Sequence, residues 1–192
     1  MVVDKMLLRR KPPLLKLVMC GEGGVGKTSL VRVYTGMGFS PYQRLTVGTQ
    51  HFFKEINHEG KRWKLVIWDL GGEERFRFLA PVFLKGARGA VFVFDITREG
   101  TFEKLDEWLN ILKKTIGDIP RVLVGNKIDL EEFRLIPSDL AEEYARSRGF
   151  IGYIETSARA GVNVNRPFDL LLNKVLAKPR YYDILRSLRW RW

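Results

Sequence analysis

The chain has 192 residues, of which 45% are hydrophobic and 29% charged, with one cysteine and a net charge of +11. That length and apolar content suit one globular domain with its own core, and a single cysteine excludes a disulfide framework or a cysteine-based metal site within the chain. Residues 1–13 carry +3 and residues 178–192 carry +4, so the body over 14–177 is only mildly basic, which argues against a nucleic-acid-binding core.

The basic extension "MVVDKMLLRRKPP" (1–13) is too charged and too broken in its apolar runs for a secretory signal. "LLKLVMC" (14–20) reads as a buried strand holding Cys20, followed by a Gly-rich loop and a helix from about Lys27. "HFFKEI" (51–56), the turn "NHEG" (57–60) and "KRWKLVIWDL" (61–70) read as a β-hairpin. A helical stretch is predicted around 74–86. "GAVFVFDI" (89–96) is apolar almost throughout, the mark of a strand buried on both faces. "TFEKLDEWLNILKKTIG" (101–117) places Phe102, Leu105, Leu109, Leu112 and Ile116 at helical spacing and ends in Gly117. A strand and loop follow in "PRVLVGNKIDL" (120–130), a helix over 137–150, a strand and loop in "GYIETSA" (152–158), and a last main helix over 164–177. Strands alternating with helices predict an α/β fold: a mostly parallel sheet of about six strands with helices on both faces and one antiparallel edge strand.

The strongest chemical signal is "GEGGVGKT" (21–28), which matches the phosphate-loop pattern between a predicted strand and a predicted helix. Gly21, Gly24 and Gly26 let successive backbone N–H groups turn inward as an anion nest, with Glu22, Gly23, Val25 and Ser29 completing the binding stretch. Lys27 puts a point charge on the β- and γ-phosphates, Thr28 offers a hydroxyl to Mg²⁺, and the helix N-terminus adds partial positive charge.

"NKID" (126–129) follows an apolar strand with the phosphate loop roughly 100 residues upstream, and here the sequence resembles the Ras-like small GTPases, whose guanine-recognition motif is N-K-x-D. The Asp129 carboxylate can accept two hydrogen bonds from guanine, a donor pair that adenine lacks. Asn126 reads as a loop brace, and the aliphatic stem of Lys127 can lie over the base. The resemblance covers about residues 14–177.

The resemblance implies a P-loop G domain that takes GTP or GDP with Mg²⁺. It assigns "ETSA" (155–158) to the last guanine loop, with Ser157 and the backbone N–H of Ala158 near the base. It makes Thr46, in "TVG", a ligand to Mg²⁺ in the triphosphate state, with Thr49 close enough to confuse the count, and Phe39 an aromatic edge to the base. "DLGG" (69–72) supplies Asp69, holding Mg²⁺ through water, and Gly72, whose N–H meets the γ-phosphate. "TVGT" leans towards Rab or Ras proteins and "WDLGGE" towards Arf proteins. Tyr42 stands one position away from the tyrosine that Rab-like proteins often carry. Arg44 sits two before Thr46, one off the arginine that heterotrimeric α-subunits supply in cis, and reads better as an exposed loop residue. The side chain of Glu22 is expected to point to solvent, and Glu74 to complement a helix start.

Glu73 departs from the family, which usually keeps a water-orienting glutamine there. A carboxylate accepts hydrogen bonds but cannot donate to the phosphoryl oxygens; as an acceptor it can still align the water or take its proton. Two functions therefore stand open. One is slow, partner-stimulated GTP hydrolysis with Glu73, Lys27, Thr46 and Gly72 as the catalytic set. The other is a non-hydrolysing GTP-binding scaffold.

The family also implies effector, exchange and activating proteins as partners, a monomeric protein and a cytoplasmic location; no nucleic acid is expected. In "YYDILRSLRWRW" (181–192) one helical face gathers Tyr181, Ile184, Leu185, Leu188 and Trp192. It reads either as an interfacial helix giving weak peripheral membrane contact or as a face docked back on the domain. Val2 and the ending "RWRW" offer no lipidation signal, so any anchorage is expected to be reversible.

Overall fold

The computed structural model describes residues 12–177. The tail over 178–192, and all of the N-terminal extension except Pro12 and Pro13, lie outside the described residues. Six strands make one sheet: β1 (Leu14–Cys20), β2 (Thr49–His58), β3 (Lys61–Leu70), β4 (Gly89–Asp95), β5 (Arg121–Asn126) and β6 (Tyr153–Thr156). Their order is β2-β3-β1-β4-β5-β6. β2 pairs antiparallel with β3, and the other neighbours pair in parallel. This is the expected sheet with its antiparallel edge strand. The hairpin turn is tighter than the sequence suggests: only Glu59 (φ 48) and Gly60 (φ 75) separate β2 from β3, both in the left-handed region that a two-residue turn requires.

Alternation along β1 divides the core in two. Leu15, Leu17 and Met19 face one apolar cluster, with Leu30, Tyr34 and Phe168 from α1 (Lys27–Tyr34) and α6 (Arg166–Leu176). Val18 and Cys20 face the other. Burial pushes the Cys20 thiol up to about 12, which leaves it an inert core residue. On the second face lie α2 (Ala80–Leu84), α3 (Glu99–Glu103), α4 (Leu105–Ile116) and α5 (Ser138–Ser147). Every residue of β4 is buried, as a strand covered by helices on both sides must be.

Two helices differ from expectation. The stretch predicted as one helix over 74–86 is a 3₁₀ turn, Glu74–Leu79, followed by the short α2; Pro81 near the α2 start favours a fresh N-terminus there. The helix predicted over 101–117 begins at Glu99 and slackens at Lys104 (φ −73, ψ −5), giving α3 and α4. Trp108 joins Leu105, Leu109 and Leu112 on the buried stripe of α4, which is wider than the leucine pattern alone implies. Among the described residues no helix is long and apolar enough to cross a membrane.

All five parallel strands run to the same end of the sheet. Their C-terminal loops, after Cys20, Leu70, Asp95, Asn126 and Thr156, therefore meet there. β1 lies between β3 and β4, where the strand order switches direction, which is the usual place for a ligand crevice in such sheets.

Candidate nucleotide-binding site

A cavity of about 290 Å³ opens at this end of the sheet. Of the residues singled out from sequence, Gly23, Gly24, Gly26, Lys27, Thr28, Ser29, Phe39, Thr46, Gly72, Glu73, Asn126, Lys127, Asp129 and Ala158 line it. Gly21, Glu22, Val25, Asp69 and Ser157 stand behind that lining. Ser40, Pro41, Gln43, Arg44, Leu45, Leu130 and Arg159 also line it. Arg44 is exposed as well as lining, and Tyr42 is 90% exposed and takes no part in the wall.

The phosphate loop wraps Lys27. Its ammonium donates to the carbonyls of Gly21 (2.7 Å) and Glu22 (2.8 Å) and is almost fully buried. Burial lowers its pKa, against the opposing charge of Asp69. Gly26 has φ 96, and a Cβ there would lie 2.2 Å from Asn126 Nδ2, so both backbone and space demand glycine.

Three oxygens converge beside the loop. Thr28 Oγ1 donates to Asp69 Oδ2 at 2.5 Å, Thr46 Oγ1 donates to the same oxygen at 3.2 Å, and the two hydroxyls are 3.0 Å apart. Thr46 therefore joins this cluster. Thr49 opens β2, and its hydroxyl is buried with no partner. Asp69 is fully buried, and burial raises its pKa despite Lys27 and the two threonines. Its second oxygen, Oδ1, is buried and without a hydrogen bond. Hard oxygen donors around a buried carboxylate whose Oδ1 has no hydrogen bond fit Mg²⁺. Among the described residues no cluster of three or more His, Cys, Asp or Glu side chains offers another site.

Gly72 lies directly on the phosphate loop. A Cβ there would come within 2.3–2.5 Å of backbone atoms of Glu22 and Gly23. The neighbouring Gly71 donates its N–H to Gly48 at 2.8 Å, which brings the segment around Thr46 against the one after Asp69. Glu73 follows in extended backbone and precedes the 3₁₀ turn that Glu74 begins. The Glu73 carboxylate pairs with Arg75 at 3.3 Å.

The base side is braced by Asn126, which is 2% exposed. Its Nδ2 donates to the Val25 carbonyl (2.9 Å), and its Oδ1 accepts from Thr156 Oγ1 (3.0 Å) and the Ala158 N–H (3.2 Å). Ser157 Oγ donates to Asp129 Oδ1 at 2.6 Å and so sets the carboxylate.

Sequence reading missed several residues. Asp95, at the end of β4, accepts from Lys127 Nζ (2.6 Å) and Arg98 Nε (2.9 Å), and Arg98 Nη2 reaches the Gly23 carbonyl at 2.9 Å. One carboxylate thus ties the base loop to the phosphate loop. Burial pushes the Asp95 pKa up, but Lys127 and Thr97 outweigh that and hold it below the usual carboxylate range. The buried strand-end acid in "VFVFDI" is the signal that could have found it. Glu22 is corrected: it does not point to solvent, because its Oε1 accepts from Arg77 Nη2 (2.5 Å) and Trp108 Nε1 (3.0 Å).

Comparison with known proteins agrees with this geometry. A profile of the Ras family matches residues 16–177. The chain is 39% identical over 171 residues to Ras-related protein Rab-18-B of Danio rerio, covering 88% of this chain and 82% of that one. It is 38% identical to Ras-related protein Rab-18 of Lymnaea stagnalis, covering 88% and 84%, and 38% identical to the Ypt/Rab-type GTPase avaA of Emericella nidulans, covering 88% and 85%.

Proposed function

Since the chain belongs to the Ras family, we propose that this small GTP-binding switch protein changes state through two loops, around Thr46 and from Asp69 to Leu79, and switches itself off by slow GTP hydrolysis. The observation that carries this reading is the convergence of Thr28, Thr46 and Asp69 beside the phosphate loop, with Gly72 seated on its backbone. Thr28 and Thr46 would hold Mg²⁺ directly and Asp69 through water; the ion supplies charge neutralisation at the phosphates when bound.

This chain's own residues do the rest. Lys27 and the inward N–H groups of residues 23–28 hold the phosphates. Asp129 and the Ala158 N–H recognise guanine, and Phe39, 40% exposed at the cavity rim, edges the base. The N–H of Gly72 meets the γ-phosphate. Glu73, at the cavity wall, aligns the attacking water as an acceptor. It gives no donor to the transferring oxygens, so hydrolysis is slow without a partner. Loss of the γ-phosphate removes the contact that holds both loops, an order–disorder transition.

One observation favours the second reading, a non-hydrolysing scaffold: the Glu73 carboxylate is engaged by Arg75. Multiple-turnover phosphate release by wild type and Glu73→Gln separates the two. Release above buffer from wild type, enhanced in Glu73→Gln, supports the enzyme; none from wild type supports the scaffold.

The family works with effector and regulatory proteins. Leu45, Val47 and Phe78 along the two loops, Phe53 on β2 and Val82 on α2 stand exposed, a surface suited to an effector that reads their arrangement. The basic tail adds weak peripheral membrane contact, tested by liposome co-sedimentation of the full chain and a 178–192 deletion.

A further inference from the structure

Glu22 touches neither the cavity nor the metal cluster, yet it grips the segment after Gly72 twice. Its peptide is the surface on which Gly72 rests. Its carboxylate pairs with Arg77, five residues beyond Gly72 in the 3₁₀ turn. Arg77 is clamped from both sides, because its other terminal nitrogen pairs with Glu107, which Lys104 holds in turn. The Arg77 side chain is only 10% exposed and that of Glu22 only 19%. The Arg77 guanidinium also lies 5.6 Å over the ring of Trp108, whose indole N–H donates to Glu22.

Removing Arg77 leaves the partly buried Glu22 carboxylate without its paired cation, which is costly. The segment 73–79 contributes no fully buried side chain of its own in its 3₁₀ turn, so apolar packing holds it weakly. The ion pair is therefore the main tie between this segment and the phosphate loop.

We propose that Glu22 and Arg77 form a latch that seats residues 73–79 on the phosphate loop, which makes Glu22 a positioning residue for Glu73. The effect on turnover rests on the slow-hydrolysis reading above; the seating itself does not. Because the Glu22 side chain faces away from the cavity, the latch governs where Glu73 stands and leaves nucleotide affinity nearly untouched.

The test uses the full chain loaded with GTP and Mg²⁺, as wild type, Glu22→Gln, Arg77→Met and the double variant. Three quantities are read: amide hydrogen exchange over 73–79, single-turnover GTP hydrolysis and the GDP dissociation constant. The latch predicts that each single variant speeds exchange over 73–79 and slows hydrolysis, both about tenfold, while GDP affinity moves less than about threefold. The double variant is no worse than either single. Unchanged exchange over 73–79, or single effects that multiply in the double, overturns the latch. So does a loss of GDP affinity as large as the loss of turnover, because Glu22 would then be supporting the phosphate loop itself. A wild type that never hydrolyses GTP overturns the turnover reading alone, and the exchange measurement then decides the latch.

Discussion

Asn126 and Val25 are 101 positions apart in the chain, yet the Asn126 side chain donates to the Val25 carbonyl at 2.9 Å. The same side chain accepts from Thr156 and Ala158. One buried amide therefore sets the distance between the glycine-rich loop after β1 and the loops that follow β5 and β6.

Asn126→Ala leaves the Val25 carbonyl, the Thr156 hydroxyl and the Ala158 N–H without partners in a buried place. Stability falls by about 1–3 kcal/mol, and GDP leaves faster. Thermal unfolding and the release rate of a fluorescent GDP check both; an unchanged release rate contradicts the brace.

Gly72→Ala places a methyl within 2.3–2.5 Å of the Glu22 and Gly23 backbone. Backbone cannot yield as a side chain tip can, so the segment after Asp69 has to lift from the phosphate loop. GDP binding is retained, GTP hydrolysis falls by about 100-fold or more, and protease cleavage between residues 72 and 80 becomes faster. Equal cleavage of variant and wild type would count against this seating.

Removal of Mg²⁺ acts through the Thr28, Thr46 and Asp69 cluster. Chelation by EDTA is expected to speed GDP release about tenfold or more, since a buried carboxylate and the phosphates lose their counter-charge. Thr28→Val keeps the shape and removes the hydroxyl. Its release rate is already fast and changes little with EDTA.

Asp95 gives a pH dependence. Its pKa is held below the ordinary carboxylate value, so the unfolded chain takes up this proton first as pH falls. Its stabilising effect is complete above the ordinary carboxylate range, near pH 4, and is lost as pH falls through the depressed value. Asp95→Asn removes the charge that both Lys127 and Arg98 use. GDP release rises about tenfold at neutral pH, and the stability gap to wild type closes at low pH. A gap that persists in acid places the effect elsewhere.

The sheet was legible because its signals are local. β1 and β4 are apolar runs broken only by Lys16 and by the strand-end Asp95, and Glu59–Gly60 is a turn that only a few residue types permit. The phosphate loop and "NKID" were legible for the same reason, each being contiguous in the chain. The 3₁₀ character of Glu74–Leu79 was not, because apolar spacing does not distinguish it from the first turns of an α-helix. Glu22 was misread because its partners lie 55 and 86 positions away and belong to other elements. Asp95 escaped for a similar reason: its role exists only once β4, β5 and the phosphate loop stand side by side.

Trp108, one of five tryptophans, gives the chain an optical signal tied to Glu22. Its indole is 1% exposed and its N–H donates to the Glu22 carboxylate, so a negative charge sits beside a buried fluorophore. Moving Arg77 away changes the electric field across that ring, and the emission colour follows the field. Exchange of GDP for a non-hydrolysable GTP analogue should shift the emission maximum without any attached dye, and the part of that shift lost in Trp108→Phe is the contribution of Trp108 among the five tryptophans. The molecule's state can then be read as a wavelength.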